Sequence, residues 1–174
     1  MTFNFAFLYR IKIIPSNQIC SNVSIPLLWK IILLGDGSFT RHCQIISYGG
    51  TTIRHISTFI YSKIHKSSKY YVNRRVWIVN SLKKKLIFAS SWWNVEKYEA
   101  IYKYPSTAIG SFFIQSELDY YRDIHCIFCG YSSELEKCFL VPGPFWGRYY
   151  TLFHKGNPTA LIYEIFSPLL ENVW

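Results

Sequence analysis

The chain predicts an α+β fold: a single antiparallel β-sheet with helices packed on one side of it. Three features carry this reading. β-branched and aromatic runs follow one another across short turns, few helical stretches are long enough to act as crossovers, and one strongly apolar helix lies near the start. A chain of 174 residues fits one domain that buries about two thirds of the surface its unfolded form exposes. Residues 1–174 are therefore read as a single domain, with 1–23 a weakly defined N-terminal arm because they show no clean period. Half of the residues are apolar and 17% are charged, a balance that excludes long disordered stretches.

The elements follow in order. IPLLWKIILL, Ile25–Leu34, reads as a buried helix, with Ser24 placed to cap it, Pro26 in its first turn and Gly35 to stop it. DGSFTRH turns the chain, and Ser38 is placed to cap a short helix over CQII. Thr51 to Ile64 is β-branched and aromatic and predicts a strand, with the polar HKSSK a loop behind it. RRVWIV, SLKKK and LIFASSWW read as strand, turn and strand; WNVEKYEAIYKY is helical in propensity, and Ser106 is placed to cap TAIGSFFI. LDYYRDIHCIFC is again strand, YSSELEKC a polar connection, and the last two strands meet at HKGNP, where Gly156 and Pro158 punctuate a tight hairpin.

A formal charge of +9 predicts attraction to something anionic, whether nucleic acid, a membrane surface or a small acidic metabolite. The run Lys83, Lys84 and Lys85 is read as a solvated turn, and the remaining basic residues match no nucleic-acid motif. Ile25–Leu34 contains Lys30 and falls short of the roughly 20 apolar residues a membrane span needs. The opening MTFNFAFLYRIKII has its apolar part before its basic part, unlike a secretory signal, so an intracellular or organellar protein is expected. Five cysteines with irregular spacing argue against a disulfide framework. The CxxC of HCIFCG has no second CxxC to complete a zinc site, and residues three apart on a strand point to opposite faces. Ordinary half-buried thiols and no metal are expected.

One residue of the last strand stands out. Alternation along TALIYEIF sets Glu164 between Ile162 and Phe166 on one face. Burial without a cationic partner raises a carboxyl pKa and makes such a group a hydrogen-bond donor or general acid. The alternative is that Glu164 pairs with a structural arginine or faces water from an edge strand. Among the arginines, Arg74 and Arg75 point to opposite faces, so one of them looks into a pocket on the covered side. Arg148 follows Gly147, a residue that in strands marks a bulge or a close backbone approach. An inward guanidinium is suited to a carboxylate, which it holds by two parallel hydrogen bonds.

In order and separation, four blocks, LLGDGSFTRH, then RRVWIV with FASSWWN, then AIGSFF, then FWGRYY through GNPTALIYEIFSP, resemble chorismate pyruvate-lyases of the cyanobacterial and plastid-encoded branch. The resemblance runs from about Leu27 to the end. It implies an antiparallel sheet sheltering an internal ligand cavity, and conversion of chorismate to 4-hydroxybenzoate and pyruvate without metal or organic cofactor. It implies further that Arg74 is the carboxylate-binding arginine and Glu164 the essential glutamate at the opposite end of the ligand. By the same resemblance, the backbone amides of Phe39 and Ile109 hold the aromatic carboxylate, and Arg148 is a second cation near the substrate. Ser111 follows Gly110 where relatives commonly carry a basic residue, which removes one positive contact. Few alanines against abundant Ile, Phe, Tyr, Lys, Asn and Ser match the bias of an AT-rich plastid genome. The expected protein is a soluble plastid monomer acting on a small molecule, with no nucleic-acid partner and no integral membrane segment. A non-catalytic aromatic-acid-binding module of the same fold is the alternative.

Overall fold

The computed structural model describes residues 3–14, 18–19, 24–35, 50–62, 70–101 and 120–173. Its strands are β1 (Ala6–Ile14), β2 (Gln18–Ile19), β3 (Thr51–Ser62), β4 (Tyr70–Asn80), β5 (Lys85–Asn94), β6 (Tyr120–Tyr131), β7 (Phe145–His154) and β8 (Asn157–Phe166). Helices α1 (Leu27–Leu34), α2 (Val95–Ile101) and α3 (Ser133–Phe139) and a final 3-10 turn, Pro168–Val173, complete the described elements. The strands form one sheet in the order β2-β1-β6-β7-β8-β5-β4-β3. Every neighbouring pair is antiparallel, as expected.

The expected hairpins follow from their turn chemistry. Lys155 and Gly156 both take positive φ, 49° and 73°, which is the backbone a two-residue connection between twisted strands requires. Asn80 closes the β4–β5 turn by accepting from the Lys84 amide at 2.9 Å, with Lys83 in the left-handed region. Part of the stretch without a clean period, Ala6–Ile14, is a full strand on β6; a register shift between Phe7 and Tyr9 breaks its alternation.

Alternation divides the sheet into two faces. On one, α1 packs Trp29, Ile32 and Leu33 against Ile11, Trp146, Ile162 and Phe166. Trp29 stacks on Trp146 at 5.9 Å, and its indole N–H donates to Glu171, which ties α1 to the final turn. The helix starts after Pro26 with no side-chain cap, and Gly35 ends it by donating its amide to Ile31. On the other face, Trp77, Phe88 and Ile165 meet Leu135 and Phe139.

Those last two residues belong to α3, in a segment expected as a polar connection. The helix forms because the Ser132 hydroxyl accepts from the Leu135 amide, a cap, and because Leu135 and Phe139, four apart, bury together against Trp77 and Phe145. The described helices thus lie on both faces, α1 on one and the short α3 on the other. The short helices predicted over CQII and TAIGSFFI, and the HKSSK loop, lie outside the described residues.

Gly147 is a close approach, with regular pairing and no bulge. A Cβ there would lie 2.3 Å from the Phe128 ring and 2.8 Å from the Glu164 carbonyl oxygen. Gly147→Ala is expected to cost about 2 kcal/mol of stability through overpacking, read as a lowered urea midpoint with unchanged slope. An unchanged midpoint would show that the Phe128 ring gives way freely.

Candidate functional site

Register brings the predicted residues to one face. Arg74 on β4 lies opposite Ser91 on β5, Ser91 opposite Ile162 on β8, and Glu164 follows two residues along the same face. Two strand spacings and two residues separate Arg74 from Glu164 by roughly 12 Å between Cα atoms. Arg148 on β7 is the direct cross-strand partner of Glu164. Arg74 and Arg148 are 1% and 0% exposed. Phe39 and Ile109, the expected backbone-amide positions, and Ser111 lie outside the described residues.

Of the two readings left open for Glu164, the structure shows the paired one. Arg148 Nε donates to Glu164 Oε2 at 2.7 Å. Its Nη1 points at the carbonyls of Ile32, Leu33 and Gly35, at 3.0, 3.0 and 3.3 Å, the oxygens that end α1. Only Nη2 has no hydrogen-bond partner among the described residues. Most donors of Arg148, expected as a second cation near the substrate, are thus committed to the protein.

Two residues that the sequence did not single out complete the cluster. The Tyr150 hydroxyl donates to Glu164 Oε1 at 3.1 Å, so both carboxylate oxygens are held. Burial pushes the Tyr150 phenol up to about 12, and the neighbouring Glu164 charge pushes in the same direction. Arg122 on β6 places its guanidinium carbon 5.6 Å from the Tyr150 ring, and Arg148 lies 5.2 Å from the same ring. The signal for Tyr150 was its spacing, two residues beyond Arg148 on an alternating strand; Arg122 had none without the β6–β7 register.

Three guanidiniums, Arg74, Arg122 and Arg148, therefore share a face with Glu164. The cationic excess suits an anion, with the carboxylate fixed at one place among them. Partial burial, with the nearby Arg74 charge, pushes His55 on β3 below its ordinary value. Cys126 and Cys129 are both buried, and burial pushes the Cys129 thiol up to about 11. Cys129 packs in the α1-side core while Cys126 is on the same side as Tyr149, and no group of three metal-ligating residues occurs among the described residues.

A family model described as "Chorismate pyruvate-lyase Rv2949c-like" matches residues 33–174. The ycf21 protein of Pyropia yezoensis is 76% identical over 172 residues, covering 99% of each chain, and that of Porphyra purpurea is 64% identical over the same share. The ycf21 protein of Cyanophora paradoxa is 29% identical over 82% of this chain and 78% of its own. Among solved structures, gene product SA0254 from Staphylococcus aureus aligns with a TM-score of 0.59 at 10% identity, over 78% of this chain and 90% of that one. The ligand-binding domain of a protein assigned to the GntR family of transcriptional regulators, from Bordetella bronchiseptica, aligns at 0.51 and 11% identity, over 69% and 84%. These structural likenesses show the fold.

Two outcomes test the cluster. Arg148→Met is expected to cost about 3 kcal/mol in urea unfolding, because it leaves the Glu164 charge and the α1 carbonyls unpaired; a loss under about 1 kcal/mol would show that the ion pair is dispensable. Tyr150 titrates at 10.0 when unfolded and about 12 when folded, so its contribution is complete below the lower value and fades as pH rises between them. Tyr150→Phe is expected to lose less stability than the parent chain across that window.

Proposed function

We propose chorismate cleavage as the function of this chain, which belongs to the chorismate pyruvate-lyase Rv2949c-like family. The reaction releases 4-hydroxybenzoate and pyruvate. The bond between the ring and the enolpyruvyl oxygen breaks, the ring carbon bearing the hydroxyl loses its hydrogen as aromaticity forms, and the methylene of the departing group gains one. Aromatisation supplies the driving force, so the protein's task is to hold a reactive conformer and stabilise charge on the leaving oxygen.

The observation that carries this reading is the placement of a buried guanidinium and a fixed carboxylate on one face of the sheet, two strand spacings apart across β5. Arg74 is proposed to anchor the ring carboxylate. With one oxygen accepting from Arg148 and the other from Tyr150, Glu164 presents its remaining lone pairs to a donor. It would thus orient the ring hydroxyl and face the reacting bonds as a hydrogen-bonding group. Arg148 acts through Glu164 as a positioning residue. The backbone amides of Phe39 and Ile109 would complete the carboxylate end. The protein is proposed to work in the plastid, without metal or organic cofactor, as a soluble enzyme; no described helix is long and apolar enough to cross a membrane.

Incubation with chorismate should yield 4-hydroxybenzoate and pyruvate in equal amounts. Arg74→Ala and Glu164→Gln should each lower kcat/KM by roughly a hundredfold or more, while Lys84→Ala, in the exposed β4–β5 turn, should leave it unchanged. Folded protein that binds 4-hydroxybenzoate tightly yet turns over no chorismate would instead identify a binding module.

A further inference from the structure

The sheet face turned away from α1 carries a cavity of about 380 Å³, within the range of roughly 300–1,000 Å³ that small-molecule sites occupy. Tyr149 and Tyr163, stacked at 5.0 Å, form the middle of its floor, and Trp92 extends it on β5. Phe5, packed edge-on against Phe128 at 5.3 Å, walls the side nearer the N-terminus. Two guanidiniums also line it, Arg10 from β1 and Arg75 from β4, and no acidic residue is among the described residues that do.

Neither arginine forms an ion pair with a described residue. Arg75 donates its Nε to Asn73 Oδ1 at 2.9 Å, an intrastrand contact that fixes the side chain. Arg10 lies over the Phe7 ring at 5.6 Å, and the neighbouring Cys126 and Tyr149 side chains at the floor raise its pKa from the ordinary value. Each guanidinium thus has neutral neighbours and no counter-charge among the described residues. β1 and β4 lie five strand positions apart, so the cavity is elongated, with a cation toward either end and flat rings between.

We propose that this trough is a second binding site, separate from the Arg74 and Glu164 cluster, for an aromatic anion whose rings lie on the tyrosine pair and whose anionic group meets Arg10 or Arg75. Aromatic faces supply the apolar area and stacking, and a charge-assisted bond to an unpaired guanidinium supplies the polar anchor. The two sites use opposite faces of the same strands: Arg74 and Arg75 are adjacent in β4, and Glu164 and Tyr163 adjacent in β8. The inference stands independently of the proposed reaction.

The test uses 8-anilino-1-naphthalenesulfonate, an aromatic anion that fluoresces when its rings leave water, titrated onto the full chain. Saturable binding is expected in the parent and in Arg74→Gln. The pair Arg10→Gln with Arg75→Gln should weaken it at least about tenfold, the loss expected of a charge-assisted bond. Both substitutions lie at the cavity's edge rather than in the core, and circular dichroism is used to check that the double variant is folded. Absence of saturable binding, equal affinity in the double variant, or loss of binding in Arg74→Gln would overturn the proposal.

Discussion

The arrangement of the α1 face depends on one ion pair, Arg148 with Glu164. Two charges brought out of water cost several kcal/mol each unless they find each other and satisfy their remaining hydrogen-bonding atoms. Direct cross-strand pairing on β7 and β8 gives the contact its geometry, with Nε and Oε2 at 2.7 Å. The guanidinium is wide enough to serve a second purpose. A helix ends with carbonyls that lack partners and with the negative end of its dipole, and α1 has no basic residue in its last turn. Arg148 Nη1 supplies the missing cation from the sheet. The position of α1, the orientation of Glu164 and the register of two strands are therefore one coupled fact.

The surroundings of the pair are built to tolerate it. The rings of Tyr150 and Phe166 lie 5.2 and 5.8 Å from the Arg148 guanidinium carbon, so the charge meets aromatic faces where it does not meet oxygen. On the reverse side of β7, Gly147 lets the Phe128 ring lie against the backbone beside Glu164. A side chain there would press on the two strands that hold the ion pair in register. The small residue next to the buried cation thus serves the same site from the opposite face.

Much of this was legible in the sequence, and the limits have physical causes. Antiparallel pairing followed from strand runs and turn residues, such as Gly156 in HKGNP, because those signals are local. The facing of Arg74 and Glu164 to one side followed from period two together with the family resemblance. The Arg148 partnership did not follow, since alternation assigns a face but not a register, and a cross-strand neighbour needs register. Arg122 was invisible for the same reason. α3 was missed because Leu135 and Phe139 give only one apolar pair in a polar segment, and its stability comes from tertiary contacts with Trp77 and Phe145. The α1 cap failed in the other direction: Ser24 is the better N-cap residue, yet Pro26 occupies the boundary and fixes its backbone before the first turn.

A net charge of +9 is compatible with several partners, and topology narrows the choice. A nucleic-acid surface needs its cations aligned on one accessible face. Here β4 sends Arg74 to one side and Arg75 to the other. Arg74 and Arg148 are buried, and Arg10 and Arg75 frame a trough rather than a ridge. Guanidiniums set among aromatic rings on both faces of one sheet fit the small aromatic anions proposed as ligands. The two proposed sites can coexist because alternation lets adjacent residues of one strand, Arg74 and Arg75, face opposite sides of the sheet.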